Sequence, residues 1–138
     1  MGRTILVAED DSTIQTVLRV GLERQGYRIL VAGDGLAALN LARQEHPDLL
    51  VLDVMMPRLS GFEVARLLRF DRAFEKLPIL MLTARKEESD RTTGFQTGAD
   101  AYVTKPFTMD ELLPVVRNLL ARASGTVEGE GHEVAKGS

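Results

Sequence analysis

Five short apolar runs, separated by longer amphipathic stretches, constrain this chain more than any other feature. They are Thr4 to Ala8, Tyr27 to Ala32, Leu49 to Leu52, Pro78 to Thr83 and Ala101 to Val103. All but the last are nearly continuous in Ile, Leu and Val, as are strands of a parallel sheet covered on both faces. Helices fit between them. Ile14, Val17, Leu18 and Leu22 repeat at i, i+3, i+4 and i+8, which predicts a helix capped by Asp11 or Ser12 and stopped by Gly26. Asp34 caps the next helix, with Leu36 and Leu39 inward, and His46 and Pro47 end it. Ser60 starts a third, with Phe62, Ala65 and Leu68 on its inner side. A fourth runs roughly from Glu87 to Thr97 and stops at Gly98. Thr108 and Glu111 form a capping box for the last helix, whose inner face is Leu112, Leu113, Val116, Leu119 and Leu120. Pro114 removes a hydrogen bond to the Asp110 carbonyl there and predicts a kink or an irregular first turn.

Successive βα units predict an α/β domain whose parallel sheet carries helices on both faces. Ligands of such folds sit outside the carboxyl ends of the strands, where the two halves of the sheet meet. The residues just after each apolar run are therefore the ones to inspect. Glu9, Asp10 and Asp11 follow the first run, Asp53 the third, Thr83 closes the fourth, and Lys105 with Pro106 follows the fifth.

Three crowded carboxylates repel one another and raise one another's pKa. A hard dication relieves this, and Mg2+ takes one or two carboxylates together with water and phosphate oxygens. Lys105 adds a point charge and Thr83 a hydroxyl donor. Such a set can hold a phosphoryl group on a carboxylate, because phosphoryl transfer needs mainly positioning and charge neutralisation. Taken singly, each residue has a plainer reading: Asp10 or Asp11 as a helix cap, Lys105 as an ion-pair partner of Asp53. Asp53 stands between Leu49 to Leu52 and Val54, Met55 and Met56, and a carboxylate in such apolar company needs a partner.

Composition narrows the remaining classes. A chain of 138 residues suits one domain, and a net charge of −3 with scattered Lys and Arg gives no footprint for direct nucleic-acid binding. The absence of cysteine excludes disulfides, thiolate metal sites and thiol nucleophiles, and is compatible with a reducing cytosol. Ile5 to Ala8 is too short for a signal peptide and is followed at once by acids; no segment has the length of a membrane span. A cytoplasmic protein that engages no membrane is the expectation. Ser124 to Ser138 holds four glycines and three glutamates and reads as a flexible tail or linker remnant after a domain spanning residues 1–123.

The stretches ILVAEDD, DLLVLDVMMPRLSGFE, PILMLTA and GADAYVTKPF, with the spacings Asp53 to Thr83 and Thr83 to Lys105, closely resemble the receiver domains of two-component response regulators over Ile5 to about Leu120. The resemblance implies a flavodoxin-like (βα)5 fold with strand order 2-1-3-4-5. It implies that Asp53 is the phosphoacceptor. Glu9 and Asp10 then hold Mg2+, Glu9 directly or through water, together with Asp53 and the backbone carbonyl of Met55. Thr83 and Lys105 bind the phosphoryl group, and Tyr102 is the switch aromatic. Lys105–Pro106 is a cis peptide, and Gly61 supports the turn after the phosphoacceptor strand. The implied partners are a histidine kinase or histidine phosphotransfer protein, a downstream effector or output domain, and a phosphorylation-dependent dimer mate. The implied activity is that of a signalling switch, catalysing only its own phosphotransfer and slow self-dephosphorylation.

The chain departs from the family pattern in places. The acidic pair begins with Glu9 rather than Asp, a variant that still binds Mg2+. Ala101 replaces an acid and removes one charge from the dimerising surface. Met55 and Arg85 flank the site and neither suits orienting a water, which predicts slow loss of the phosphoryl group. The stretch DRTTGFQTG, with two glycines and three threonines, is a weak helix expected to shift on phosphorylation, with Thr83 moving toward the phosphate and Tyr102 turning inward. Val20, off the inward face of the first helix, is a candidate contact for the phosphodonor. Three other readings compete. A Mg2+-dependent aspartyl phosphohydrolase would want an acid where Met55 stands. A flavodoxin-like nucleotide binder would want glycines where the first loop is acidic. A degenerate receiver would bind partners without phosphorylation. Three outputs stay open: a stand-alone receiver, a DNA-binding protein and a multidomain kinase.

Overall fold

In the computed structural model, residues 2–84 and 98–123 are described. The expected helix at Glu87 to Thr97, the residue Arg85 and the tail from Ser124 lie outside them. Five strands, β1 (Thr4–Ala8), β2 (Arg28–Ala32), β3 (Leu49–Asp53), β4 (Ile79–Thr83) and β5 (Ala101–Thr104), form one parallel sheet in the order β2-β1-β3-β4-β5. Among the described residues four helices accompany it: α1 (Ser12–Glu23), α2 (Gly35–Glu45), α3 (Gly61–Arg69) and α4 (Met109–Ala123), with a 3-10 turn at Arg72–Phe74. The chain runs outward from β1 to β2, then crosses back to β3 on the other side of β1. The switch point of this α/β fold therefore lies between β1 and β3.

The two-residue period of the strands divides the interior in two. Leu6, Leu50, Leu52, Met81 and Tyr102 face α2 and α3, where Ala38, Leu39, Val64 and Leu68 meet them. Ile5, Val7, Val51, Leu82 and Val103 face α1 and α4, against Leu18, Leu22, Leu112 and Val116. β1, β3 and β4 are buried almost throughout, which is why their sequences are continuous in apolar residues. β2, on the edge, is only partly covered.

Caps set the helix boundaries. Asp11, rather than Ser12, caps α1: its Oδ1 accepts from the Thr13 and Ile14 amides. Asp34 Oδ1 accepts from the Ala37 amide at 2.8 Å. Ser60 with Glu63, and Thr108 with Glu111, form reciprocal capping boxes. His46 ends α2 in the left-handed conformation, φ 47°, and stacks on Phe74 with ring centroids 5.1 Å apart. α4 is continuous through Pro114, and the Thr108 carbonyl accepts from both the Glu111 and Leu112 amides.

Four sequence expectations are corrected. Val17 is 46% exposed, because the inward stripe of α1 is centred on Leu18 and Leu22 and Val17 lies a full residue's rotation to one side. Leu36 is 43% exposed; Ala38, Leu39 and Ala42 form the inner face of α2 instead. Ala101 is 2% exposed and packs in the α1/α4 core, so its side chain removes no charge from a surface. Tyr27 lies just before β2, whose first residue is Arg28.

Arg69, at the end of α3, gathers the far end of the sheet. Its guanidinium donates to the Gly98 carbonyl, at 2.7 Å from Nη2, to Asp100 Oδ2 at 3.0 Å and to the Phe74 carbonyl at 2.9 Å. Asp100 Oδ2 also accepts from the Ile79 amide at 2.8 Å, which fixes the start of β5 against the start of β4.

Gly61 opens α3 directly on the exit of β3. A Cβ there would strike the Asp53 carbonyl oxygen and come within 2.9 Å of Val54 Cα, both backbone atoms. Gly33, by contrast, has only Gln15 Nε2 at 3.9 Å. Gly61→Ala is expected to cost about 2 kcal/mol or more through forced backbone displacement, whereas Gly33→Ala stays within about 0.5 kcal/mol of the parent. Urea unfolding of the two variants checks the contrast, and equal midpoints would contradict it.

Candidate functional site

At the carboxyl edge of the sheet, Glu9 follows β1 and is fully buried. Its amide donates to the Ala32 carbonyl at 3.0 Å, and its carbonyl accepts from Gln15 Nε2 at 2.6 Å. Oε2 accepts from the Asp11 amide at 3.1 Å, and Oε1 lies 3.1 Å from Lys105 Nζ. Asp53, the last residue of β3, is also buried, and its Oδ1 lies 3.1 Å from the same ammonium. Lys105 is placed by its own backbone: its amide donates to the Thr83 carbonyl at 2.7 Å, just past the paired ends of β4 and β5. The peptide Lys105–Pro106 is cis.

Glu9, Asp10 and Asp53 each offer a carboxylate oxygen within 4.8 Å of the others, with Asp10 exposed and the other two buried. The structure thus brings four of the predicted residues, Glu9, Asp10, Asp53 and Lys105, into one cluster. Thr83 is buried on the neighbouring strand end beside it. Tyr102 is elsewhere: it is buried in the α2/α3 core. Met55, two residues past Asp53, is 66% exposed. Val20 is exposed on α1, as its off-face position implies.

The charges do not balance. Burial pushes the Asp53 carboxyl up from 3.8 to about 6, the Glu9 charge adds to this and Asp10 contributes, while Lys105 opposes. Burial by itself would lower the Lys105 pKa, but hydrogen bonding and attraction from Asp53 and Glu9 outweigh it and hold the ammonium above the ordinary lysine value. Among the described residues, one cation facing three carboxylates leaves a net negative, all-oxygen cluster open to solvent through Asp10. Its donor set suits a hard divalent ion that keeps part of its water shell.

Two contributors carried no signal in the sequence pattern. Gln15 reads as an ordinary polar residue of α1, yet its side chain holds the Glu9 carbonyl. Arg69 reads as one of several scattered basic residues, yet it anchors β5.

The profile of the response regulator receiver domain matches residues 5–117. The chain belongs to the response regulator receiver family. It is 47% identical over 123 residues to the alkaline phosphatase synthesis transcriptional regulatory protein PhoP of Bacillus subtilis, covering 89% of this chain and 50% of that one. It spans about half the length of the curated relatives it matches. The receiver domain of Francisella response regulator 1452 superposes with a TM-score of 0.82 at 35% identity, covering 88% of this chain and 98% of that one. The receiver domain of the sensor histidine kinase PA1611 from Pseudomonas aeruginosa, described with a magnesium ion coordinated in its active-site cleft, gives 0.81 at 31% identity over 88% and 99%.

The raised Asp53 pKa makes a signed prediction for the metal-free receiver. The folded state holds the Asp53 proton more tightly than the unfolded chain, so ionisation of Asp53 destabilises the fold. The stability of the parent relative to Asp53→Asn should fall by about 2 kcal/mol from about pH 4 to about pH 7 in chelator. Urea titrations of both proteins across that range check it, and excess Mg2+ should shrink the fall. A difference independent of pH would contradict the environment assigned to Asp53.

Proposed function

We propose that this receiver accepts a phosphoryl group on Asp53 and passes the change to an output partner. The observation that carries the proposal is the cluster itself: a buried carboxylate with two further acids and a lysine ammonium within contact range at the switch point of the sheet. Glu9, Asp10, Asp53 and the backbone carbonyl of Met55 would hold Mg2+, with Glu9 acting directly or through water. The ion, when bound, neutralises the acidic cluster and the charge of the incoming phosphoryl oxygens. The remaining work falls to the chain. An Asp53 carboxylate oxygen attacks phosphorus, the bond from phosphorus to the donor breaks, and the donor leaves with the electron pair. Lys105 pairs with the transferred group and the Thr83 hydroxyl donates to it, while Tyr102 on β5 registers the change.

The donor is a histidine kinase or a histidine phosphotransfer protein, and the compartment is the cytoplasm. No helix among the described residues is long and apolar enough to cross a membrane. Residues 1–123 form the receiver unit and 124–138 a tail or linker. The similarity to PhoP, a transcriptional regulatory protein, favours a gene-regulatory output, with a phosphorylation-dependent dimer as one route to it. The chain acts as a switch, turning over only its own phosphoryl group. With exposed Met55 offering no group to orient a water, self-dephosphorylation is slow.

Intact-mass analysis after incubation with Mg2+ and a small phosphodonor tests this. The parent should gain one phosphoryl mass and Asp53→Ala none. An unchanged parent mass points to a partner-binding receiver that is not phosphorylated. The same assay, followed after donor removal, should show the adduct persisting for minutes or longer at neutral pH; loss within seconds would contradict the slow turnover.

A further inference from the structure

We infer that Gln15 is a positioning residue for Asp10, acting through the backbone on either side of it; the inference rests on the reading of Glu9, Asp10 and Asp53 as the Mg2+ acids. Asp10 is the exposed member of the trio. A carboxylate in solvent is only as well placed as the main chain that carries it. The Cα of Asp10 joins two planar peptide units. The first contains the Glu9 carbonyl and the Asp10 amide, and its oxygen accepts from Gln15 Nε2 at 2.6 Å. The second contains the Asp10 carbonyl and the Asp11 amide, and its nitrogen donates to Glu9 Oε2 at 3.1 Å. With both planes pinned, the backbone torsions of Asp10 are set and only its side-chain torsions stay free.

The second pin is internal to the loop, since buried Glu9 supplies it. The first comes from outside. Gln15 is half-buried in the first turn of α1, and its own amide donates to the Asp11 carbonyl at 2.9 Å. Gln15 therefore grips the chain on both sides of Asp10, by its side chain before it and by its main chain after it. Only the side-chain grip depends on the residue being glutamine.

Calorimetric Mg2+ titration of the unphosphorylated protein tests this on the parent, Gln15→Met, Asp10→Asn and the double variant. Methionine keeps the length and helix propensity of glutamine and removes the donor. Gln15→Met is expected to weaken Mg2+ binding about three- to tenfold, while its urea midpoint in chelator stays at the parent value. In the Asp10→Asn background the same change should add no further loss, because its effect runs through Asp10. Undiminished affinity in Gln15→Met, or a full additional loss in the double variant, overturns the inference and leaves the metal reading standing. A parent that binds no Mg2+, or Asp10→Asn binding as tightly as the parent, overturns the metal reading and the inference with it. A second measurement needs no variant. In an NMR titration the Gln15 side-chain amide protons should shift in step with the Asp10 backbone amide as Mg2+ is added, and a Gln15 amide indifferent to Mg2+ overturns the inference.

Discussion

Glu9 and Asp53, both buried at the carboxyl edge of the sheet, share one ammonium. That shortage of positive charge organises this end of the molecule. A parallel sheet puts all its strand ends on one side, and the order β2-β1-β3-β4-β5 sets the ends of β1 and β3 next to each other. Carboxylates placed there cannot avoid one another. Lys105 offsets part of the repulsion; burial first, and the repulsion from Glu9 after it, displace the Asp53 carboxyl toward its protonated form. A buried charge left short of partners is unfavourable for the resting fold, and the same shortage is what makes the cluster suited to a cation.

The fold bears that cost because its stability comes from elsewhere. Each strand divides its side chains between two separate apolar layers, one under α2 and α3 and one under α1 and α4. Neither layer needs the polar rim. The rim is attached to the layers by main-chain bonds: Lys105 to Thr83, Glu9 to Ala32, Gly61 to Val54. Side chains at the rim can thus be selected for chemistry while the sheet and helices supply the burial that holds the domain together.

Much of this was legible beforehand, and for definite reasons. Strand positions could be read because strands covered on both faces must be apolar throughout, as in Leu49 to Leu52; β2 to β5 each differ from the apolar run by one residue at one end. The caps Asp34, Ser60 and Thr108 were legible because an amide at a helix start needs a nearby oxygen. Helix faces were less so. Val17 and Leu36 fit the apolar period yet lie exposed, since a period of 3.6 does not say how wide the covered stripe is, and small residues such as Ala38 and Ala42 bring a helix close without standing out in a hydropathy pattern. The acids and the lysine of the site were legible from their place after apolar runs. Gln15 and Arg69 were not, because both act on backbone carbonyls, and a carbonyl leaves no trace in residue identity.

The helix α3 has a bearing beyond its share of the core. At its first residue, Gly61 lies against the Asp53 carbonyl with no room to spare. At its last, Arg69 grips the Gly98 carbonyl and the Asp100 carboxylate at the entrance to β5. A nine-residue helix is a stiff rod of about 13 Å. Its two ends are fastened to points far apart in sequence, one at Asp53 and the other at the base of the strand that carries Tyr102 and leads to Lys105. The end of β3 and that strand base are therefore joined by a rigid strut as well as by the sheet.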